Sequence, residues 1–119
     1  ERVCLEFSAD GLLVRQPHSL KEIEDEGRIL SHCVGGYAER HAMGKLSIMF
    51  LRKVSEPDKP YYTVEVSQYG GIVQCRGYRN NVVQNGGEDK PQEIKDFEQK
   101  YQQYLDRIFA EKRKERKTA

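Results

Sequence analysis

The chain has no tryptophan, and its cysteines, Cys4, Cys33 and Cys75, form an odd, scattered set without a Cys-x-x-Cys pair. That argues against a disulfide framework or a paired-cysteine zinc site, and reduced thiols in a cytoplasmic setting fit best. No apolar run approaches the ~18 residues of a membrane span. The opening Glu1-Arg2-Val3-Cys4 lacks the basic-then-apolar layout of a secretory signal. A first residue other than Met reads as a piece cut from a longer protein, with room for an export signal upstream. Charge of one sign is missing too: 20 Lys and Arg against 19 Asp and Glu leave a formal net charge of +1. The global field of a dedicated DNA coater is therefore absent, and any contact with nucleic acid must be local. There is no internal repeat, low-complexity tract, inter-domain linker or phosphate-cradling glycine loop.

What is present suits a small polar-surfaced globular unit. The 119 residues are 37% apolar and 33% charged, with seven Tyr and four Phe supplying bulk. That is enough to bury a core without staples of disulfide or metal. The expected layout is one domain over residues 1–111 and a basic, frayed tail over 112–119.

Val3, Leu5 and Phe7 alternate with polar neighbours, and Ala9-Asp10-Gly11 turns the chain into Leu12-Leu13-Val14, which predicts a hairpin. Ser19 and Glu22 have capping-box spacing, and Leu20, Ile23, Gly27, Leu30 and Val34 recur at helical intervals up to Gly35-Gly36. A second short helix is expected over Tyr37 to Ala42. Leu46 to Lys53 reads as a strand, Ser55 to Pro60 as a loop, and Tyr61 to Val66 and Ile72 to Arg76 as strands around Gln68-Tyr69-Gly70-Gly71. Pairing this hairpin across a four-residue turn opposes Val66 to Val73 and Val64 to Cys75, an apolar face. The other face then carries Glu65 opposite Gln74 and Thr63 opposite Arg76. The next stretch, Arg79 to Gly87, is loop-like. Beyond Pro91, the positions Ile94, Phe97, Tyr101, Tyr104, Leu105 and Ile108 define an amphipathic helix. The predicted class is α+β: an antiparallel sheet of about five short strands, with an N-terminal helix pair and a C-terminal amphipathic helix packed on it.

Chemistry-bearing residues concentrate in two places. The segment Ser31-His32-Cys33-Val34-Gly35-Gly36-Tyr37 sets an imidazole and a thiol at a helix end. The partial negative charge of a helix C-terminus disfavours a thiolate, and Cys33 borders the apolar face, so packing is its simpler role. The same dipole raises the pKa of His32 and suits it to act as a general acid, although a histidine there also complements the dipole with no catalytic role. The second place is the polar strand face, where a carboxylate and a guanidinium on rigid strands are suitable parts for proton transfer and anion binding. An ordinary solvated cross-strand face is the alternative. Spacing disfavours a metal site: His32 and Cys33 are adjacent, and His18 and His41 lack ligand partners in the sequence.

The ordered motifs Glu26-Gly27, His32-Cys33-Val34-Gly35-Gly36-Tyr37, Ile48-Met49-Phe50-Leu51-Arg52, Tyr62-Thr63-Val64-Glu65-Val66 and Gln74-Cys75-Arg76-Gly77 with Asn80 resemble the PcfJ-like family of proteins from conjugative plasmids and phages. The resemblance runs from about Ser19 to Asn81. It implies a mobile-element context, an intracellular location and a region within a larger polypeptide, and it supplies no reaction and no cofactor. The family's recurring positions map to His32, Cys33, Gly35, Tyr37, Arg52, Glu65, Gln74, Gly77 and Asn80.

Two readings follow. In the first, a small metal-independent catalytic domain cleaves RNA, with Glu65 as base, His32 as acid and Arg76 or Arg52 as phosphate clamp. Tyr37, Arg52, Thr63, Gln74 and Asn80 are then the substrate contacts. Acyl transfer by Cys33 with His41 as base is a weaker variant, and so is a nucleotide-dependent transferase using His32, Tyr37 and Glu65. In the second reading the domain is a non-catalytic module that binds nucleic acid, or protein partners of the conjugation or phage machinery, through its basic tail, Arg76, Arg79 and exposed tyrosines.

Overall fold

Asp10 (φ 53°) and Gly11 (φ 80°) both adopt left-handed backbone, the combination that closes a two-residue hairpin whose twist matches its strands. Around them β1 (Phe7–Ala9) and β2 (Leu12–Arg15) pair antiparallel, Ala9 opposite Leu12 and Phe7 opposite Val14. This computed structural model describes residues 4–30, 41, 43–44, 46–78, 82–83, 87–88 and 90–118. Three more strands, β3 (Leu46–Lys53), β4 (Tyr62–Ser67) and β5 (Ile72–Arg76), complete a five-stranded sheet in the order β1-β2-β3-β4-β5. Every neighbouring pair is antiparallel.

The central strand β3 is apolar on both faces because both are covered. Leu46, Ile48 and Phe50 cluster with Ile23 of helix α1 (Leu20–Leu30) on one face. On the other face Met49 and Leu51 join Val64, Val66 and Cys75 against Ile94, Phe97, Tyr101 and Leu105 of helix α2 (Gln92–Thr118). Ile48, Met49, Phe50 and Leu51 are fully buried as a result, as expected of a strand between two layers.

Helix α1 starts at the predicted cap. The Ser19 hydroxyl accepts the Glu22 N–H at 3.1 Å, and the Glu22 carboxylate reaches back to the His18 N–H at 2.6 Å, one residue before the cap residue that a capping box engages. Helix α2 docks through its aromatic stripe. Phe7 stacks on Tyr104 and Tyr101 at centroid distances of 5.0 and 5.7 Å, and the buried Tyr101 hydroxyl donates to Leu5 O at 2.7 Å, where burial raises its pKa.

The β4–β5 turn departs from the predicted register. Thr63–Arg76, Val64–Cys75 and Glu65–Gln74 pair as expected, but a bulge between Glu65 and Val66 sets Val66 opposite Ile72 rather than Val73, and Val73 is 54% exposed. The Ser67 hydroxyl accepts both the Tyr69 N–H (3.2 Å) and the Gly71 N–H (3.1 Å), which tightens the turn. Across the sheet, Gln102 of α2 clamps this turn, accepting the Ile72 N–H at 2.8 Å and donating to Gly70 O at 2.9 Å.

Of the predicted helix pair, α1 is present; the second helix, over 37–42, lies outside the described residues apart from His41. The loop-like stretch contains two minimal strands, β6 (Val82–Val83) and β7 (Gly87–Glu88), which pair with each other and not with the main sheet. Helix α2 continues to Thr118, through the basic run expected to fray. Lys, Arg and Glu in that run are strong helix formers. Among the described residues, no helix is long and apolar enough to cross a membrane.

Candidate functional site

Strand alternation puts one set of polar residues on the α1 side of the sheet. Ile48 faces α1, and its register partner Glu65 shares that face, as does Gln74 opposite Glu65. The neighbouring rung runs Arg15, Phe50, Thr63, Arg76 across β2 to β5. Glu65 and Arg76 are therefore diagonal neighbours, ~7–8 Å apart at the backbone and within reach of long side chains.

Helix α1 meets this face through carboxylates one turn apart. Glu22 takes two hydrogen bonds from Arg15, at 3.2 and 2.8 Å. Glu26 takes two from Arg52, at 2.7 and 2.6 Å, and accepts a longer one from Thr63 Oγ1 at 3.5 Å. Both guanidinium groups lie over the Phe50 ring, Arg15 at 5.1 Å and Arg52 at 4.7 Å from its centroid, so one aromatic ring serves two cations.

The two carboxylates differ in burial, and their acidities differ accordingly. Glu22 is partly solvated, and its hydrogen bonds from Arg15 bring its pKa from 4.5 down to about 2. Glu26 is 2% exposed; desolvation pushes its carboxyl up, against the opposing pull of Arg52. A depressed carboxyl stabilises the fold above its unfolded value and loses that contribution as pH falls through its folded value. Glu22 thus contributes above pH 4.5, and its contribution disappears between 4.5 and about 2. Acid titration of unfolding should show a shallower loss over this window in Glu22→Gln than in the wild type, a difference in which the upward-shifted Glu26, present in both, cancels.

Glu65 is 5% and Thr63 7% exposed, whereas Gln74 and Arg76 are half-buried. The structure thus brings Glu65, Arg76, Thr63 and Gln74 together on one face. It corrects the role expected of Arg52: at 2% exposure and held on Glu26 by both terminal nitrogens, Arg52 cannot meet a substrate from solvent. Thr63 donates to Glu26 and so is tied into the same network. His32, Cys33, Tyr37 and Asn80 lie outside the described residues.

The role of Glu26 was not legible from its motif, although one signal was available. Ile23, Gly27 and Leu30 set the buried stripe of α1, and Glu26 falls within it, a carboxylate where the pattern calls for an apolar side chain. Among the described residues, no group of three or more His, Cys, Asp or Glu side chains is placed to hold a metal ion. A cleft of about 660 Å³ opens at the end of the sheet, and its described lining contains neither Glu65 nor Arg76.

Comparison with known proteins assigns these motifs to a family. A family model of PcfJ-like proteins matches residues 1–94, which covers the whole sheet and α1. The chain belongs to the PcfJ-like family. It is 38% identical over 78 residues to an uncharacterised protein, Lin1253/Lin1744, of Listeria innocua. That match covers 64% of this PcfJ-like chain and 17% of the Listeria protein, so the chain spans a small part of its relative. No solved structure matches.

Proposed function

We propose that the polar sheet face of this PcfJ-like domain is a metal-independent catalytic site of the RNA-cleaving type, working in a mobile-element context. The observation that carries this reading is Glu65: a carboxylate 5% exposed in mid-strand, diagonal to Arg76 on the α1 side of the sheet. A carboxylate and a guanidinium fixed on adjacent rigid strands are suitable parts for proton transfer and anion binding.

In the reaction, the Glu65 carboxylate takes the proton of a ribose 2′-hydroxyl, and the 2′ oxygen bonds to the adjacent phosphorus. The bond from phosphorus to the 5′ oxygen breaks, and His32 as imidazolium gives that oxygen its proton. Arg76 holds the non-bridging oxygens. The products are a 2′,3′-cyclic phosphate and a 5′-hydroxyl. A reduced, cytoplasmic setting belongs to the same reading, since the three cysteines form an odd, scattered set.

The test incubates wild-type, Glu65→Gln and His32→Ala proteins with pooled RNA, single-stranded DNA and duplex DNA, with and without chelator. Turnover of RNA alone is expected from the wild type, insensitive to chelator, with each variant slowed at least about 100-fold, the lower range for loss of a general acid or base. Salt-sensitive binding without turnover would instead favour a non-catalytic module of the conjugation or phage machinery, a reading supported by the exposed rings of Tyr69 (78%) and Tyr78 (56%).

A further inference from the structure

Strand β3 outruns its neighbour. Only residues 50–53 pair with β2, and among the described residues no strand continues the ladder along the first half of β3 on that edge. At this edge Ile48 N–H donates to His41 Nδ1 at 2.9 Å, so the bond assigns the imidazole proton to Nε2. The bond also closes the position at which an added peptide strand would begin its ladder.

Beside this edge lies the cleft of about 660 Å³, within the ~300–1,000 Å³ common for ligand sites. Leu46, Met49 and Phe109 give it an apolar floor, Tyr69 stands at its rim, and Lys112 and Arg113 of α2 line its far wall. In a chain with 19 acidic residues, no carboxylate is found among the described lining residues. Neither Lys112 nor Arg113 has an acidic partner among the described residues.

We infer that this cleft holds a segment of single-stranded nucleic acid, its phosphates on Lys112 and Arg113 and a base against Tyr69. Cations with no acidic partner among the described residues, beside an exposed ring and an apolar floor, match a ligand that is anionic along one side and planar and apolar along the other. A small anion would leave the floor unused. A duplex keeps its bases stacked inside and would leave both Tyr69 and the floor without contact. The inference rests on the reading above for the class of ligand but needs nothing from Glu65, so the two can fail separately.

The test measures fluorescence anisotropy of labelled oligouridylate, oligothymidylate and a duplex of equal length with the 119-residue chain across a salt series. Both single strands are expected to bind more tightly than the duplex. Lys112→Gln/Arg113→Gln should weaken binding at least about tenfold and lower the salt slope by about 1.4, two phosphate contacts' worth on a single strand. Tyr69→Ala should weaken it at least about fivefold without changing the slope. Lys21→Gln/Lys59→Gln, which removes two exposed cations elsewhere, should bind as the wild type does. Absence of salt-sensitive binding by the wild type, preference for duplex, or equal loss in the two lysine-containing double variants would overturn the inference. Binding retained without RNA turnover contradicts the catalytic reading alone; turnover without an effect of Lys112→Gln/Arg113→Gln contradicts this one alone.

Discussion

Arg52→Leu is expected to cost about 3–5 kcal/mol, the usual penalty for removing one partner of a buried ion pair. The cost arises mainly on the other side of the pair. Glu26 stays at a position 2% exposed, without the two hydrogen bonds that oppose its desolvation. A domain of this size has only about 5–15 kcal/mol of total stability, so the single change removes about a fifth of it or more. Glu26→Leu/Arg52→Leu should recover most of the loss, because an apolar pair of similar volume carries no buried charge. Arg52→Lys should not rescue, since a point charge cannot reproduce the two-pronged contact. Urea unfolding of the wild type, both single variants and the double variant gives the coupling directly. Equal losses in Arg52→Leu and the double variant would mean that the pair does not couple α1 to the sheet.

Gly70→Ala should be damaging for two separable reasons. Gly70 has φ +92°, and an added Cβ would sit 2.7 Å from both Cδ1 and Cγ of Phe109. The backbone alone costs about 1–3 kcal/mol for a residue that carries a Cβ, and the clash adds to it unless the ring moves. The ring cannot move without consequence, because Phe109 floors the cleft and Gln102, on the same helix, holds the carbonyl of Gly70. Gly70→Ala/Phe109→Ala should relieve the clash and keep the backbone penalty. Introducing Gly70→Ala should therefore lower the melting temperature both in the wild type and in Phe109→Ala, the drop being larger when Phe109 is present. Equal drops would place the whole effect in the backbone. Co-melting of Gly70→Ala with the wild type would contradict both terms.

Much of this architecture was legible because its signals are local. The bounds of β3 and β5 and the starts of both helices follow from period-2 and period-3.6 patterns and from Ser19 and Glu22. The polar face of β4 and β5 followed from one turn length, which fixed Glu65 opposite Gln74 and Thr63 opposite Arg76. The bulge at Val66 lies outside that pattern, since one hydroxyl, that of Ser67, draws the turn in by one residue. So does the buried role of Arg52. In its strand, Arg52 has the look of an exposed cation; only a carboxylate 26 residues earlier in the chain turns it into a buried strut. Availability to solvent is a property of the assembled layers, and no local pattern carries it. Glu65 and Arg76 share a face as expected, whereas the histidine assigned to act with them, His32, lies outside the described residues.

The claim that Glu65 transfers a proton is tested most directly by single-turnover cleavage of a defined RNA strand by the wild type and by Glu65→Gln, at a temperature where both are folded by circular dichroism. The glutamine keeps the shape and polarity of the glutamate and cannot take a proton, so the expected result is a folded variant at least about 100-fold slower. Equal rates from two folded proteins, or no cleavage by a folded wild type, would contradict it.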